Sequence, residues 1–319
     1  MEMLYYVNAY GFLILGVLLI VCNLPVLVAV CCERKLRNQY GVLIISLFNA
    51  FLSGVVSAGY GIFRIVIFTL HRDNELLTVS ECFYNPLTVF LLWTFPMTGL
   101  GLLLNSIDRL IVVSSPLFYF KFNADIVFFL HVVALIINAA TVVAACVVTI
   151  TLSPTGKQIS ILCHQHELYS HVMFISLSAL RTLFAIFAVL IMLLVLVLLV
   201  KQSHVKSKQA FHTEETMKRF KARQINYTKT MLISCVATFV FYIIPSVMSA
   251  TASLFFFSDV AAHVITWSRF ISFFNSFNIA FLVVYRQRDV RCRISRIVNR
   301  VFRGHLSHSA TLDTSHMDH

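Results

Sequence analysis

Seven long apolar runs constrain this chain more than any other feature of its sequence. They occupy residues 6–31, 41–69, 83–115, 126–152, 169–200, 228–257 and 262–285. A bilayer core about 30 Å thick requires about 20 apolar residues in a helix, and every run exceeds that length. None of the runs alternates apolar and polar residues as a membrane β-strand does. The sequence therefore predicts seven transmembrane helices, named here span 1 to span 7 in chain order.

Composition points the same way. Of the 319 residues, 59% are hydrophobic and only 12% are charged, whereas an ordinary soluble domain has about 25% charged residues. This composition excludes a water-soluble fold and leaves no room for a separate soluble domain. We predict an all-α integral membrane fold, a seven-transmembrane helix bundle over residues 1–303, followed by a disordered cytoplasmic tail at 304–319. The first run lacks the basic flank of a signal peptide, so we interpret it as span 1.

The basic residues predict the orientation of the bundle. Eight Lys or Arg residues lie between 201 and 229, and seven arginines lie between 286 and 303. The connection 153–168 contains only Lys157, and 258–261 contains neither Lys nor Arg. Since Lys and Arg favour the cytoplasmic side, we expect an extracellular N-terminus and a cytoplasmic C-terminus. The formal charge of +11 therefore indicates membrane topology, and no nucleic-acid partner is expected.

Residues 286–303 have the pattern of an amphipathic helix. Val290, Ile294, Ile297 and Val301 recur at helical spacing among the arginines. We expect a C-terminal helix 8 that lies on the lipids of the inner leaflet. Cys292 within it is a candidate for S-palmitoylation, although an unmodified cysteine is an equal alternative.

The inner end of span 3 carries the most specific motif. Residues 107–117 read Ile-Asp-Arg-Leu-Ile-Val-Val-Ser-Ser-Pro-Leu. This stretch resembles the Asp-Arg-Tyr segment of rhodopsin-like (class A) G-protein-coupled receptors, including the proline and leucine that follow it. The resemblance implies that Asp108 holds Arg109 at rest, and that Arg109 swings toward span 6 and a heterotrimeric G protein on activation. The alternative is an arginine that only anchors the helix at the membrane interface.

Other segments resemble the same family. Asn23-Leu24-Pro25-Val26 is similar to the signature of its first helix, which implies that Asn23 bonds to spans 2 and 7; a bond within its own helix is the alternative. Pro245 matches the proline that kinks the sixth helix and serves as a hinge for its motion. Cys82 and Cys163 lie at the two positions that the family joins by a disulfide, and both face the oxidising compartment.

Spans 2 and 7 depart from the family pattern. Span 7 has Asn275-Ser276-Phe277-Asn278 and a distant Tyr285 in place of Asn-Pro-x-x-Tyr. The aspartate of the second helix falls near Phe51, so a sodium site of the usual kind is not expected. Decayed motifs with short termini are similar to the nematode serpentine chemoreceptors. That resemblance implies a chemosensory receptor in the plasma membrane, including that of a sensory cilium, with Asn275 and Asn278 in interhelical contacts and Tyr285 in the switch.

Three arginines lie in the outer parts of the spans, namely Arg64, Arg181 and Arg269. Buried arginines are costly unless they are paired, and the same spans contain no carboxylate. We therefore hypothesise that they form the rim of an extracellular pocket for an anionic or acceptor-rich ligand. The alternative for each is snorkelling to the outer headgroups. Trp93 and Trp267 line the pocket in this hypothesis, or belong to the aromatic belt.

Several other functions are disfavoured by the sequence. Span 7 contains no lysine, so an opsin Schiff base cannot form there. We find no phosphate-binding loop, no His-Glu-x-x-His motif and no paired intramembrane carboxylates. We therefore expect no enzyme, no cofactor and no metal site. The remaining alternative to a receptor is a seven-helix transporter or channel. Such a protein needs polar residues across the bilayer centre, where span 4 offers only His131 and Asn138.

Overall fold

The computed structural model shows a bundle of long helices. It describes residues 2–71, 75–152, 158–163, 168–206, 232–255, 259–286, 290–297 and 299. Within these ranges, seven helices are long and apolar enough to cross a membrane. The predicted seven-helix fold is confirmed, and the chain has the architecture of a multi-pass membrane protein. The predicted tail at 304–319 and the connection 207–231 lie outside the described residues.

The helices follow the apolar runs. Spans 1 to 5 are the helices Glu2–Cys32, Arg34–Thr69, Pro86–Ser114, Pro116–Leu152 and His171–Lys206. Span 6 is helical from residue 232, contains a π-helical turn at Phe239–Ile243 and continues as the helix Ile244–Phe255. Span 7 is the helix Asp259–Arg286. Successive spans run in opposite directions. We call the two ends of the bundle the Arg109 end and the disulfide end, the latter after the Cys82–Cys163 disulfide.

Spans 2 and 4 begin earlier than their apolar runs. Span 4 starts at Pro116, ten residues before the predicted start at 126, and span 2 starts at Arg34 rather than 41. The backbone leaves helical geometry at Tyr40 and at Phe122, with φ of −121° and −114°. Each long helix is therefore a short segment at the Arg109 end followed by the main membrane segment. The first segment of span 2 contains three cations, whereas that of span 4 is mostly apolar and is separated from the main apolar run by Lys121 and Asp125.

The surface of the bundle is apolar, as a lipid-facing surface must be. Phe128, Ile136, Val143 and Ile150 of span 4 are each at least 60% exposed, and their spacing places them on one helix face. Polar side chains lie inside instead, including Asn23, Asn105 and Asn138, each at most 2% exposed. A bilayer provides no hydrogen bonds to lipid-facing polar groups, so this inverted distribution favours a membrane-embedded bundle.

Spans 1 and 2 pack at close range through glycines. A Cβ at Gly61 would lie 2.6 Å from the backbone nitrogen of Leu13, and one at Gly54 would lie 2.9 Å from the carbonyl oxygen of Gly16. No side chain fits at these distances. The hydrophobic effect does not drive helices together in lipid. Small residues favour association there because they let two backbones approach and make many van der Waals contacts.

The connections at the disulfide end form an ordered cap. Strands β1 (Leu76–Thr78) and β2 (Gln158–Ser160) pair antiparallel, which joins the connection before span 3 to the connection after span 4. A disulfide links Cys82 to Cys163 beside them, as the resemblance implied. The predicted run of span 3 starts at residue 83, directly after Cys82, but span 3 begins only at Pro86. Cys82 lies in a separate helix, Val79–Tyr84.

Residues 290–297 are helical and pack at the Arg109 end. Val290 is fully buried in the same cluster as Val30 and Leu36, and Ile294 packs against that cluster. Arg293 forms an ion pair with Glu33, between spans 1 and 2, at 3.5 Å. The apolar face thus contacts protein. That this segment lies on the inner leaflet as helix 8 remains a prediction, as does lipidation of the exposed Cys292.

Candidate functional site

A buried ion pair occupies the Arg109 end of span 3. Asp108 and Arg109 are 1% and 2% exposed. The guanidinium of Arg109 donates to Oδ2 of Asp108 and forms an ion pair with it. The hydroxyl of Tyr119 donates to Oδ1 of the same carboxylate at 2.7 Å. Both oxygens of Asp108 are therefore bonded, which is the condition for keeping a buried carboxylate charged.

Tyr119 was not among the residues that the sequence predicted for this site. It lies in the short turn at 116–121 that precedes the kink at Phe122, and it is only 1% exposed. The hydropathy pattern placed the start of span 4 at 126, so the turn was treated as connection. The folded turn brings Tyr119 back over the end of span 3. This contact links the ion pair to the segment that joins spans 3 and 4.

Two asparagines of span 7 bind span 6. Thr238 donates to Oδ1 of Asn275 at 2.9 Å, and Nδ2 of Asn278 donates to both the carbonyl oxygen and the hydroxyl of Ser234, each at 2.9 Å. These bonds lie between the π-helical turn and the Arg109 end. Spans 6 and 7 are thus joined by polar contacts just below the irregular part of span 6.

Asn23 does not bond to spans 2 and 7 as the resemblance implied. Its Nδ2 donates to the carbonyl oxygen of Leu19 in its own helix at 2.9 Å, and its Oδ1 has no hydrogen-bond partner in the described part of the chain. The reason is distance: Asn23 lines a cavity with Asn49 and Asn275 that separates these side chains. The cavity volume is about 20 Å³, which holds about one water molecule.

The irregular part of span 6 combines the predicted proline with a π-helical turn. The backbone N–H of Ile244 donates to the carbonyl oxygen of Phe239, five residues earlier. Pro245 follows directly and has no N–H to restore the α-helical pattern. Single π-helical turns inside α-helices are common at functional sites. Sequence patterns indicated the proline, but the extra residue in the turn produces no hydropathy signal.

Tyr285 does not reach this region. Its side chain is 70% exposed and stacks on Phe281, with ring centroids 6.2 Å apart. Four residues separate the two on one helix face, which is directed away from the bundle interior. The predicted role of Tyr285 in a switch with Arg109 is therefore not supported by its position.

Two of the three arginines lie inside the bundle rather than on its rim, and the third, Arg269, is partly exposed. Arg64 and Arg181 are 4% and 5% exposed, so neither snorkels to the headgroups. The guanidinium of Arg181 lies 3.8 Å from the ring centroid of Phe95 and 5.5 Å from that of Tyr242. Arg181 is ten residues below the start of span 5, which at 1.5 Å per residue is about 15 Å into the bundle.

Arg269 brings a third charge to the same region. It interacts electrostatically with both Arg64 and Arg181, and with the phenols of Tyr60 and Tyr169. The guanidinium of Arg64 lies 4.9 Å from the ring centroid of Phe12. Spans 2, 5 and 7 thus direct positive charge toward one another. We call Arg64, Arg181 and Arg269 the arginine cluster.

Carboxylates do not balance this cluster from within the membrane. Within the apolar membrane-crossing parts of the seven helices, the acids are Asp108 and Asp125, both near the Arg109 end, whereas Glu2 and Asp259 are the first residues of spans 1 and 7. Neither Arg181 nor Arg269 forms an ion pair with any residue that the structure describes, and Nε of Arg181 has no hydrogen-bond partner there. Cation–π contacts contribute up to about 2 kcal/mol when desolvated, whereas burying each ion costs several kcal/mol. Arg181 and Arg269 are therefore incompletely compensated by the residues that the structure describes.

Tyr169 adds a neutral donor at the top of this region. Its side chain is 3% exposed, and its hydroxyl oxygen has no hydrogen-bond partner among the described residues. Burial, followed by the nearby Tyr60, raises the pKa of Tyr169 far above its ordinary value, although Arg269 acts in the opposite sense. The phenol therefore stays protonated at any physiological pH and can donate one hydrogen bond.

The two tryptophans have different surroundings. Trp93 packs against the apolar cluster beneath the disulfide, and its carbonyl oxygen accepts from Asn138 of span 4 at 3.2 Å. Trp267 is 51% exposed and contacts the ring of Phe270 at 6.0 Å. Trp267 consequently faces outward, as expected for the aromatic belt, and the pocket-lining interpretation does not hold for it. Neither residue contacts the arginine cluster through a polar bond within the described ranges.

No model of a known protein family matches this chain, and no curated protein matches it significantly. The functional interpretation accordingly depends on the residues themselves.

Proposed function

We propose that this chain is a G-protein-coupled receptor of the rhodopsin-like kind, similar to the nematode serpentine chemoreceptors. The observation that carries the proposal is the buried Asp108–Arg109 pair at the end of span 3, with Tyr119 on its second carboxylate oxygen. An arginine that only anchored a helix would extend toward the headgroups. Arg109 is instead 2% exposed and bound to an acid.

In the proposed mechanism, this pair is the resting state of a switch. Asp108 and Tyr119 hold Arg109 against span 3, and release of Arg109 lets it turn toward span 6. Span 6 has a place to bend, because the π-helical turn and Pro245 interrupt its hydrogen-bond pattern. Outward motion below that point opens the Arg109 end to a heterotrimeric G protein. Packed bundles change between discrete arrangements in this way.

The same proposal assigns the two ends of the bundle to the two sides of the membrane. The Lys and Arg residues of the connections concentrate at the Arg109 end, which makes it cytoplasmic. The disulfide end, with its oxidised cysteine pair, faces the extracellular space. The receptor resides in the plasma membrane, including that of a sensory cilium, and its stimulus is an extracellular anionic or acceptor-rich ligand.

The test compares Arg109→Ala with a matched control. The tagged full chain is expressed, its surface level is measured, and recruitment of a panel of Gα subunits is recorded with and without ligand pools. We expect a signal that Arg109→Ala abolishes and that Arg296→Ala retains, because Arg296 is an exposed arginine at the same end. If the surface-expressed chain recruits no Gα, the receptor proposal fails, and a seven-helix transporter or channel becomes the better interpretation.

A further inference from the structure

We infer that the arginine cluster, through Arg181 and Arg269, binds the carboxylate of an organic acid with an apolar body. This inference deepens the proposed function, because it names the ligand class and the contact through which binding reaches span 6. Its starting point is a local imbalance of charge. The cluster lies in the half of the bundle where the apolar membrane-crossing segments contain no acid, and the acid of span 7, Asp259, is ten positions before Arg269 at the start of the helix.

The geometry favours a ligand that lies between spans. Arg181 belongs to span 5, Arg269 to span 7 and Arg64 to span 2, and the charge of Arg269 interacts with those of the other two. Positive charges on separate helices repel one another unless an anion lies between them. An anion in that position would reduce the repulsion between these spans at the disulfide end. The same argument excludes a cationic ligand.

The donor groups specify a carboxylate with an apolar body. A guanidinium presents a planar fork of N–H donors that matches the two oxygens of a carboxylate. Arg181 is 5% exposed, its Nε is without a hydrogen-bond partner among the described residues, and the Tyr169 hydroxyl is likewise unbonded there. The surrounding surface consists of rings, with Phe95 and Tyr242 beside Arg181 and Phe12 beside Arg64. Such walls suit an alkyl or aryl group better than a hydrated inorganic anion.

The contact with Tyr242 connects this site to the hinge. Tyr242 belongs to the π-helical turn Phe239–Ile243, and its ring centroid lies 5.5 Å from the guanidinium of Arg181. A carboxylate that draws Arg181 toward Arg269 must change that cation–π contact. Ligand binding would thereby act on the one irregular turn of span 6 without any motion of the cap. The structure thus provides a direct route from the ligand to the proposed hinge.

The binding test uses the purified full chain in lipid nanodiscs and does not require a G protein. The probes are decanoate and 4-phenylbutyrate, their primary amides, phenylphosphonate and inorganic phosphate, each titrated to millimolar concentration. The measured quantity is the thermal unfolding midpoint, which rises with the concentration of a ligand that binds only the folded state. We expect the two carboxylates to raise the midpoint, and the amides and inorganic phosphate to leave it unchanged. A rise with phenylphosphonate alone would replace the carboxylate by a phosphonate-type headgroup and overturn the stated class.

Variants test whether the rise of the unfolding midpoint depends on the arginine cluster. Arg181→Gln and Arg269→Gln should each weaken carboxylate binding by about tenfold or more, since each removes a charge-assisted pair of hydrogen bonds. Arg296→Gln, at the opposite end, should not change it. Arg181→Lys should bind more weakly than the parent, because an ammonium lacks the planar fork. The inference is overturned if the amides stabilise the protein as well as the acids, if no carboxylate raises the midpoint, or if the double Arg181→Gln/Arg269→Gln variant responds like the parent.

A functional readout separates this inference from the receptor proposal. Tyr242→Leu should alter the Gα response to the same probe by a larger factor than it weakens carboxylate binding, because the ring that couples Arg181 to the π-helical turn is gone. Carboxylate binding without Gα recruitment by any variant would leave the site established and the receptor proposal rejected. Gα recruitment without carboxylate binding would reject the carboxylate site and support the receptor proposal.

Discussion

Arg109 and Arg181 are two buried arginines of one bundle with opposite surroundings. Both are at most 5% exposed. Arg109 is bound to Asp108, whose other oxygen accepts from Tyr119. The guanidinium of Arg181 lies over the rings of Phe95 and Tyr242 and has no acid partner in the described part of the chain. The difference shows that burial alone does not define the role of an arginine: a paired charge can lock a structure, whereas an uncompensated one leaves a place for a counter-ion.

The largest expected effect is at the paired end. Asp108→Asn leaves the buried Arg109 without its carboxylate, and breaking a buried pair in this way costs about 3–5 kcal/mol. We expect a strongly lowered unfolding midpoint and, if the switch proposal is correct, a raised basal Gα signal. Asp125→Asn is the control, because Asp125 is an exposed acid near the same end. Equal midpoints for the two variants would show that the pair does not stabilise the resting state.

The disulfide gives the largest expected effect at the opposite end. Cys82→Ser opens the link between the cap and the helix Val79–Tyr84, and loss of a native disulfide costs about 2–5 kcal/mol. Surface expression and the unfolding midpoint should both fall. Cys146→Ser, which removes a free cysteine of span 4, should have little effect. If Cys82→Ser also abolished Gα recruitment at normal surface level, the two ends would be coupled more strongly than the contacts suggest.

A smaller effect is expected for the hydroxyl that supports the ion pair. Tyr119→Phe keeps the ring but removes its hydrogen bond to Oδ1 of Asp108. The unfolding free energy should decrease by about 1–3 kcal/mol, because a buried charged acceptor is left partly unbonded. Basal Gα recruitment should rise less than in Asp108→Asn. If the double variant Asp108→Asn/Tyr119→Phe loses no more unfolding free energy than Asp108→Asn alone, both residues belong to one network.

Removing the charge of Arg181 should change the free energy of unfolding very little, in contrast to Asp108→Asn. Arg181→Met keeps an unbranched apolar side chain and removes a buried cation that has no acid partner among the described residues. We expect the unfolding free energy of the unliganded protein to be unchanged or raised, by up to about 1 kcal/mol, since apolar replacements of buried ions are often neutral or stabilising. A clear loss of stability, comparable to that of Asp108→Asn, would mean that Arg181 already has a strong partner.

The smallest expected effect is in the cap. The backbone N–H and the hydroxyl of Thr78 donate to Glu81, and these bonds hold the pKa of that exposed carboxyl below its ordinary value. Because the folded pKa is lowered, the contribution is present above the unfolded pKa and is lost as pH falls through the folded pKa. Protection against hydrogen exchange at Val79–Tyr84, measured relative to the exchange rate of an unstructured peptide at the same pH, should therefore decrease in acid. In Glu81→Gln this protection should already be lower at neutral pH and show little further change.

The sequence by itself determined the number and order of the membrane helices, because a bilayer requires about 20 apolar residues per helix and tolerates few charges within them. The motif at 107–117 identified Asp108 and Arg109, and the resemblance identified the disulfide between Cys82 and Cys163. The apolar runs reflect the lipid solvent and the motifs are short stretches of sequence, so both can be recognised from one amino-acid sequence.

Only the tertiary structure decided which side chains meet. Tyr119 binds Asp108 because a short turn folds back over span 3, and Asn23 bonds within its own helix because a cavity separates it from spans 2 and 7. Tyr285 and Trp267 face outward although their positions in the sequence suggested contacts inside. Helix rotation and kinks set these directions, and they depend on packing between helices distant in sequence. For the same reason, the sequence indicated three costly arginines, whereas their convergence and the contact of Arg181 with the π-helical turn required the fold.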